Sequence, residues 1–217
     1  MYKSQRNWEN VNLAVFETSQ PYDIPVMQSC ADCAVENWVG FNFARSCPPE
    51  ERTEHGVHFY VDDYQFQRLW TNPTAYLPLL SSFGAVMQPD FSIYENFPFA
   101  LRIWNVYRNA WLACFWQMHG IKVIPTVMWS TPESYDWCFL GYPTGGVVSV
   151  SSVGSLQTDE SKALFIKGYR EMMKRLKPDK IIFRGTVLPE CEGNIVRIPA
   201  FHDEIRKRVE DNAKNTN

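Results

Sequence analysis

The runs VVSVS at Val147–Ser151, DESKALFIKGYREMMKRL at Asp159–Leu176 and KIIFR at Lys180–Arg184 decide the fold class. The two outer runs are short, rich in branched residues and alternate in polarity, as strands do. The middle run repeats at helical spacing. Phe165, Tyr169, Met172 and Leu176 share one face, opposite Lys162, Lys167, Arg170, Lys174 and Arg175. Thr158 stands at the N-cap position and Lys177-Pro178 closes the helix. Strand, helix, strand in that order is the unit from which parallel sheets are built.

The alternation continues outward from this unit. Further strands are expected at Asp23–Met27, Trp38–Ala44, Val57–Val61, Ala85–Pro89, Lys122–Val127 and Ile195–Ile198. A helix is expected from Asp63, as its cap, through Phe66, Leu69 and Trp70 to Pro73. A long one runs over Phe97–His119, opened by Asn96 and Pro98 and ended by Gly120. The expected class is therefore α/β, a TIM-barrel-like fold with a closed or partial βα barrel. An open doubly wound parallel sheet is the second reading. The 217 residues fit one domain, with a cysteine-containing N-terminal segment at 1–50 and a frayed tail at 211–217.

The long helix carries two apolar stripes, Ala100, Trp104, Tyr107, Trp111, Phe115, Met118 and Ile103, Val106, Ala110, Cys114. They leave a narrow polar edge at Arg102, Asn105, Arg108 and Asn109. Central packing accounts for such a helix; a homo-oligomer interface through 97–119 is the sharper alternative.

Strands covered on both faces usually read as unbroken Val, Ile and Leu. These alternate instead: Val57, Phe59 and Val61 with His58, Tyr60 and Asp62; Val86 against Gln88 and Asp90; Val148 and Val150 with Ser149 and Ser151. Arg184 shares a face with Ile182. If helices cover the apolar faces, the polar set converges inside as a hydrogen-bonded network or a hydrated cavity. An antiparallel sheet with one wet face would alternate in the same way.

Chemistry in βα folds gathers where strands end. There stand Asp62 and Asp90, candidates for acid and base roles or for sharing a divalent metal. His58, Tyr60, Gln88, Tyr94, Trp129, Ser149, Ser151 and Arg184 are the candidate ligand-binding residues. Trp129 and Tyr94 offer flat faces to a base or sugar, although core packing explains an aromatic residue as simply.

Cys30 and Cys33 form a C-x-x-C, and Cys47 follows; with His55 or His58 they make a weak zinc pattern. His55-x-x-His58 with Asp62 is weaker, because residues three apart on a strand point to opposite faces. No G-x-x-x-x-G-K-[ST], G-x-G-x-x-G or G-x-S-x-G occurs, which removes the usual support for nucleotide triphosphatase, dinucleotide-dependent and α/β-hydrolase chemistry. A net charge of −3 argues against extended duplex-DNA binding. No run approaches the ~20 apolar residues of a membrane span. The opening MYKSQRNWENVN lacks a signal-peptide core. The expected setting is a host cytosol, with the cysteines as thiols or metal ligands.

At FYVDDYQFQRLW, QPDFSIY, IWNVYRN, VIPTVMW and VSVSSVG, over roughly Val57–Gly154 and more loosely to Gly185, the chain resembles a domain-of-unknown-function family of phages, plasmids and bacterial genomes. Some members of that family are labelled plasmid rolling-circle replication proteins. The resemblance implies a phage or mobile-element context and carries no catalytic residues across. The paired-histidine motif that rolling-circle initiators use for metal is absent from this sequence.

Three functions follow as expectations. The first is binding of a small, nucleotide-like ligand in a polar barrel mouth, with sequestration of a host signal as its purpose. The second is metal-assisted hydrolysis of a phosphodiester or glycosidic bond by Asp62 and Asp90. The third is a non-catalytic partner role, toward a host factor or replication machinery. Whether the chain is an enzyme stays open at this stage.

Overall fold

The computed structural model describes residues 10–198, so the tail expected at 211–217 lies outside the described residues. Within them an antiparallel ribbon of β1 (Thr18–Ser19) and β2 (Ile24–Pro25) precedes seven parallel strands. These are β3 (Asn37–Gly40), β4 (His55–His58), β5 (Ala85–Met87), β6 (Val123–Ile124), β7 (Val147–Ser151), β8 (Lys180–Arg184) and β9 (Ile195–Ile198). Strands β3-β4-β5-β6 form one sheet and β7-β8-β9 a second. A parallel bridge between Thr126 and Ser149 connects the two. The strands therefore follow one another in chain order, without the reversal that a doubly wound sheet requires.

This is a mixed α/β fold built on parallel sheets. Among the described residues β3 and β9 do not pair, so no closed ring of hydrogen bonds forms. The eighth expected strand, Asp23–Met27, overlaps β2 in the antiparallel ribbon and contributes nothing to the parallel layer. Beyond Gly40 the expected strand Trp38–Ala44 turns into a 3₁₀ helix over Phe41–Ser46.

The three longer helices fall close to where punctuation placed them, the longest starting two residues later than expected, and two short ones join them. Helix α1 (Asp63–Thr71) stops before Asn72-Pro73. A short α2 (Leu77–Leu80) follows, then α3 (Phe99–Met118), α4 (Tyr135–Cys138) and α5 (Asp159–Leu176). Thr158 and Ser161 close a capping box on α5, each satisfying the other's backbone N–H. Lys177 ends α5 in the left-handed region, and Gly120 follows α3 at φ 76°.

Two apolar layers lie on the helix side of the strands. In one, Val57, Phe59 and Val86 pack against Phe66 and Leu69 of α1 and Trp111, Phe115 and Trp116 of α3. In the other, Val148, Val150, Ile181 and Phe183 pack against Phe165, Tyr169 and Met172 of α5. Helix α3 contributes to both, with Val106 and Ala110 in the second layer. Its apolar stripes are thereby spent largely inside the chain. The opposite strand face forms a third cluster, in which Ala85, Met87, Ile124, Val147, Ile182 and Ile198 meet Trp38 and Tyr60. No helix among the described residues is long and apolar enough to cross a membrane.

Candidate functional site

A cavity of about 630 Å³ opens where β4, β5, β6 and β7 end. That is the carboxyl edge of the parallel layer, where ligands bind in open and barrel-shaped βα folds alike. Tyr60 and Asp62 follow β4 and Asp63 opens α1, and from the segment after β5 come Asp90, Ser92, Tyr94 and Glu95. Met128, Trp129 and Ser130 follow β6, and Ser151 ends β7.

Six of the sequence-derived residues therefore share one cavity: Tyr60, Asp62, Asp90, Tyr94, Trp129 and Ser151. Three more, His58, Ser149 and Arg184, lie inward of it and are buried. Arg184 Nη1 donates to His58 Nε2 at 2.5 Å, and its guanidinium lies 5.6 Å from the centre of the Tyr60 ring. Burial, with the Arg184 charge, depresses His58 to a pKa of about 3. His58 is thus a neutral acceptor at physiological pH. Ser149 joins a second inward network. Its hydroxyl is 2.9 Å from that of Thr126, which donates to the Gln88 carbonyl at 2.8 Å.

Gln88 is corrected. Val86 and Gln88 have the same parity, so the Gln88 side chain points to the helix side, where it borders Val106, Asn109 and Ala110 of α3. Its Oε1 accepts from the Thr126 backbone N–H at 3.0 Å. This steadies the β5–β6 junction from the outer face.

Asp63 is corrected as well. Asp62 occupies the N-cap without a side-chain cap bond, and Asp63 is the first helical residue. The Asp63 carboxylate accepts from the Ser92 backbone N–H and hydroxyl, both at 3.0 Å. It clamps the segment after β5 rather than capping its own helix.

That segment is held from the other side by the polar edge of α3. Asn109 accepts from the Phe91 N–H at 3.0 Å and donates to the Phe91 carbonyl at 3.2 Å, as a neighbouring strand would. Asn105 donates to the Ser92 carbonyl at 2.5 Å. Arg108 lies 3.4 Å from the centre of the Phe91 ring and donates to Gln67 Oε1 at 2.8 Å. Burial lowers Arg108 to a pKa of about 10, so it keeps its charge. The narrow polar edge of α3 is thus the clamp that shapes one cavity wall. Its signal was present, since Asn105 and Asn109 stand one helical turn apart on an otherwise apolar helix.

Asp90 is strongly perturbed within the cavity. Burial and then the nearby Asp63 charge push its carboxyl well above the ordinary carboxylate range, against smaller opposing effects that include Arg184. Its Oδ1 is buried and makes no hydrogen bond. A carboxyl in that state favours its protonated form and has a proton to donate. Among the described residues no Lys or Arg lines the cavity, which instead holds four carboxyl groups, on Asp62, Asp63, Asp90 and Glu95.

Trp129 rests on α5 with its ring 5.2 Å from Phe165. A methyl group at Gly168 would come within 2.1 Å of the indole, so the glycine makes room for it. A lone glycine inside a helical pattern was the available sequence signal. Tyr94 and Tyr64 stand exposed at the rim.

The cysteines separate. Cys30 and Cys33 belong to the inward cluster, whereas Cys47 packs in the layer with Phe41 and Phe59. The proposed Cys30–Cys33–Cys47 set is therefore not assembled as one ligand group. His55 and His58 occupy the two ends of β4, as their spacing required.

Fold and site together define a parallel α/β protein with an acidic, aromatic-rimmed cavity at its carboxyl edge. Over residues 16–202 the sequence matches the family model described as "Domain of unknown function (DUF4417)", and the chain belongs to that family. It is similar to the "Gene 1 protein" of Mycobacterium phage D29, at 35% identity over 204 residues, covering 90% of this chain and 73% of that protein. The "Gene 1 protein" of Mycobacterium phage L5 is also 35% identical, over 198 residues, covering 89% of this chain and 86% of the relative. No solved structure matches the chain.

Proposed function

We propose that this chain binds a small polar ligand with a stackable ring, nucleoside-like or sugar-like, at the carboxyl edge of its strands. The observation that carries the reading is the unpartnered, buried Oδ1 of Asp90 on the wall of a cavity that also presents Trp129 and Tyr94. A protonated carboxyl supplies one directional donor, and the aromatic faces supply stacking worth roughly 1–3 kcal/mol per base. An acidic wall favours a neutral or cationic ligand; a phosphate would need a divalent cation between it and Asp62 or Asp90. The same reading takes the seven strands as a partial βα barrel forming one domain. Chain-order strands and an inward cluster spanning residues of β3 to β9 support that view. The two phage relatives support a phage or mobile-element setting, in which capture of a host metabolite is a coherent role.

Turnover is the second reading, favoured by the way the Asp63 charge raises Asp90. A raised carboxyl beside a second carboxyl group is the pattern that divides acid from base, and glycosidic hydrolysis is the reaction that suits it. In that reaction Asp90 would protonate the leaving group, and Asp62, exposed at the rim, would act on water.

Calorimetric titration against nucleosides, nucleotides with and without Mg²⁺, and simple sugars tests the binding reading. Asp90→Asn keeps a donor and should retain ligand while abolishing any hydrolysis; Asp90→Leu should lose both. Binding unaffected by Asp90→Leu and Trp129→Ala together would remove this cavity from consideration.

A further inference from the structure

The amino end of β4 carries a second cluster, remote along the strand from the cavity. Cys47, Glu51 and His55 bring a thiol sulfur, a carboxylate oxygen and a ring nitrogen within 4.8 Å of one another. They are spaced at i, i+4 and i+8, and a loop of tight turns stacks them on one side. Cys47 ends the 3₁₀ helix Phe41–Ser46, and Pro48 and Pro49 turn the chain. Glu51 N–H donates to the Pro48 carbonyl at 3.0 Å, and Glu54 N–H to the Glu51 carbonyl at 3.0 Å.

Three contacts fix this loop. Arg52 Nε donates to the Cys47 carbonyl at 3.0 Å. Gly84 N–H contacts both the Arg52 carbonyl at 3.1 Å and the His55 carbonyl at 2.9 Å. No side chain fits at Gly84, where a Cβ would lie 2.3 Å from the Thr53 carbonyl oxygen. The loop is thus pinned to the start of β5 before any ligand arrives, which lowers the ordering cost of binding.

The histidine is oriented as metal-binding histidines are. His55 Nδ1 lies 2.8 Å from the Glu51 carbonyl oxygen and donates to it, leaving Nε2 as the lone-pair nitrogen. Cys47 is buried, His55 half-buried and Glu51 exposed, so the cluster reaches solvent on its Glu51 side.

We propose that Cys47, Glu51 and His55 form a binding site for a zinc-like divalent cation, distinct from the carboxyl-edge cavity. Sulfur, nitrogen and oxygen donors together select a borderline-soft ion over Mg²⁺ or Ca²⁺, which take oxygen ligands. On binding, the Cys47 S–H bond breaks, its proton leaves to solvent and the metal–sulfur bond forms. Three protein ligands leave one tetrahedral position, which water fills. The ion would tie the loop to the first residue of β4. This inference stands on its own observations and does not depend on the ligand proposed for the cavity.

The test is titration of the full chain, stripped with chelator, with Co²⁺ alone. One equivalent should raise the near-ultraviolet thiolate charge-transfer band together with the visible bands of tetrahedral cobalt. Cys47→Ser should abolish the ultraviolet band, and His55→Gln should weaken binding by roughly tenfold or more. Cys30→Ser with Cys33→Ser should leave the spectrum unchanged. Alkylation of the wild-type chain, read by peptide mass spectrometry, supports the same point without a variant: Zn²⁺ should protect Cys47 and leave Cys30 and Cys33 as reactive as before. Absence of a charge-transfer band up to millimolar Co²⁺, or a band that survives Cys47→Ser and vanishes with Cys30 and Cys33, overturns the proposal.

Discussion

The two faces of the parallel strands are buried to a similar degree and built of different chemistry. On the helix side Val57, Phe59, Val148 and Phe183 are each no more than 1% exposed; on the inward side His58, Ser149 and Arg184 are no more than 7% exposed. Exposure alone would not tell the faces apart. The outer face adheres to helices through area and shape. The inner face grades from Ala85, Val147 and Ile182 to the His58–Arg184 pair and then to the cavity. Its cohesion depends on hydrogen bonds such as Arg184–His58 and Thr126–Ser149, because a buried polar group without a partner is costly. The lesson is that the inner face gives up apolar contact to create a polar floor beneath a site.

The largest expected effect lies on the outer face. Phe59→Ala should cost about 4 kcal/mol in urea denaturation, from lost contacts with Phe41, Phe66 and Trp116, while ligand affinity per folded molecule stays unchanged. If affinity falls with it, the faces are not separable.

On the inner face His58→Ala should cost about 2 kcal/mol, because it removes an acceptor of the buried Arg184 guanidinium. The pH dependence sharpens this. His58 has a pKa of about 3 when folded against 6.5 when unfolded. Between those values the unfolded chain binds the extra proton, so stability falls as pH drops from 6.5 toward 3. His58→Gln should flatten that part of a stability–pH curve, and an unchanged slope would remove His58 as its source.

Asn109→Ala should cost roughly 1–3 kcal/mol, since it leaves the Phe91 N–H and carbonyl without their side-chain partners. Ligand affinity should weaken too, by calorimetry, because the cavity wall after β5 loses its clamp. Gly168→Ala should cost roughly 1–3 kcal/mol, since helix propensity only partly offsets the clash, and should move Trp129 and shift the tryptophan emission spectrum.

The smallest effect is a gain. Asp90 is raised above its unfolded value, so the folded chain keeps a proton that the unfolded chain releases, and stability falls as pH rises past the ordinary carboxylate range. Asp90→Asn removes that loss and should raise the neutral-pH melting temperature by about 2 °C. A lower melting temperature would show that the carboxyl is ionised and stabilising, against the donor role proposed for it.

The sequence by itself determined the class of the fold, the three strands Val147–Ser151, Lys180–Arg184 and Ile195–Ile198 at their observed bounds, and the capped helix between the first two. It also determined that His58, Tyr60, Ser149, Ser151 and Arg184 belong to the inward side, because side-chain direction along a strand follows parity alone. By the same parity Gln88 goes with Val86 to the helix side, away from the inward set in which it was expected. Tertiary structure alone decided which polar residues became floor and which became wall. Asp63 holding Ser92, Asn109 holding Phe91 and Gly168 making room for Trp129 are contacts between segments 18 to 39 residues apart. Local periodicity carries no record of such distances. They are set by how α1, α3 and α5 pack across the strands, and that packing depends on the whole core at once.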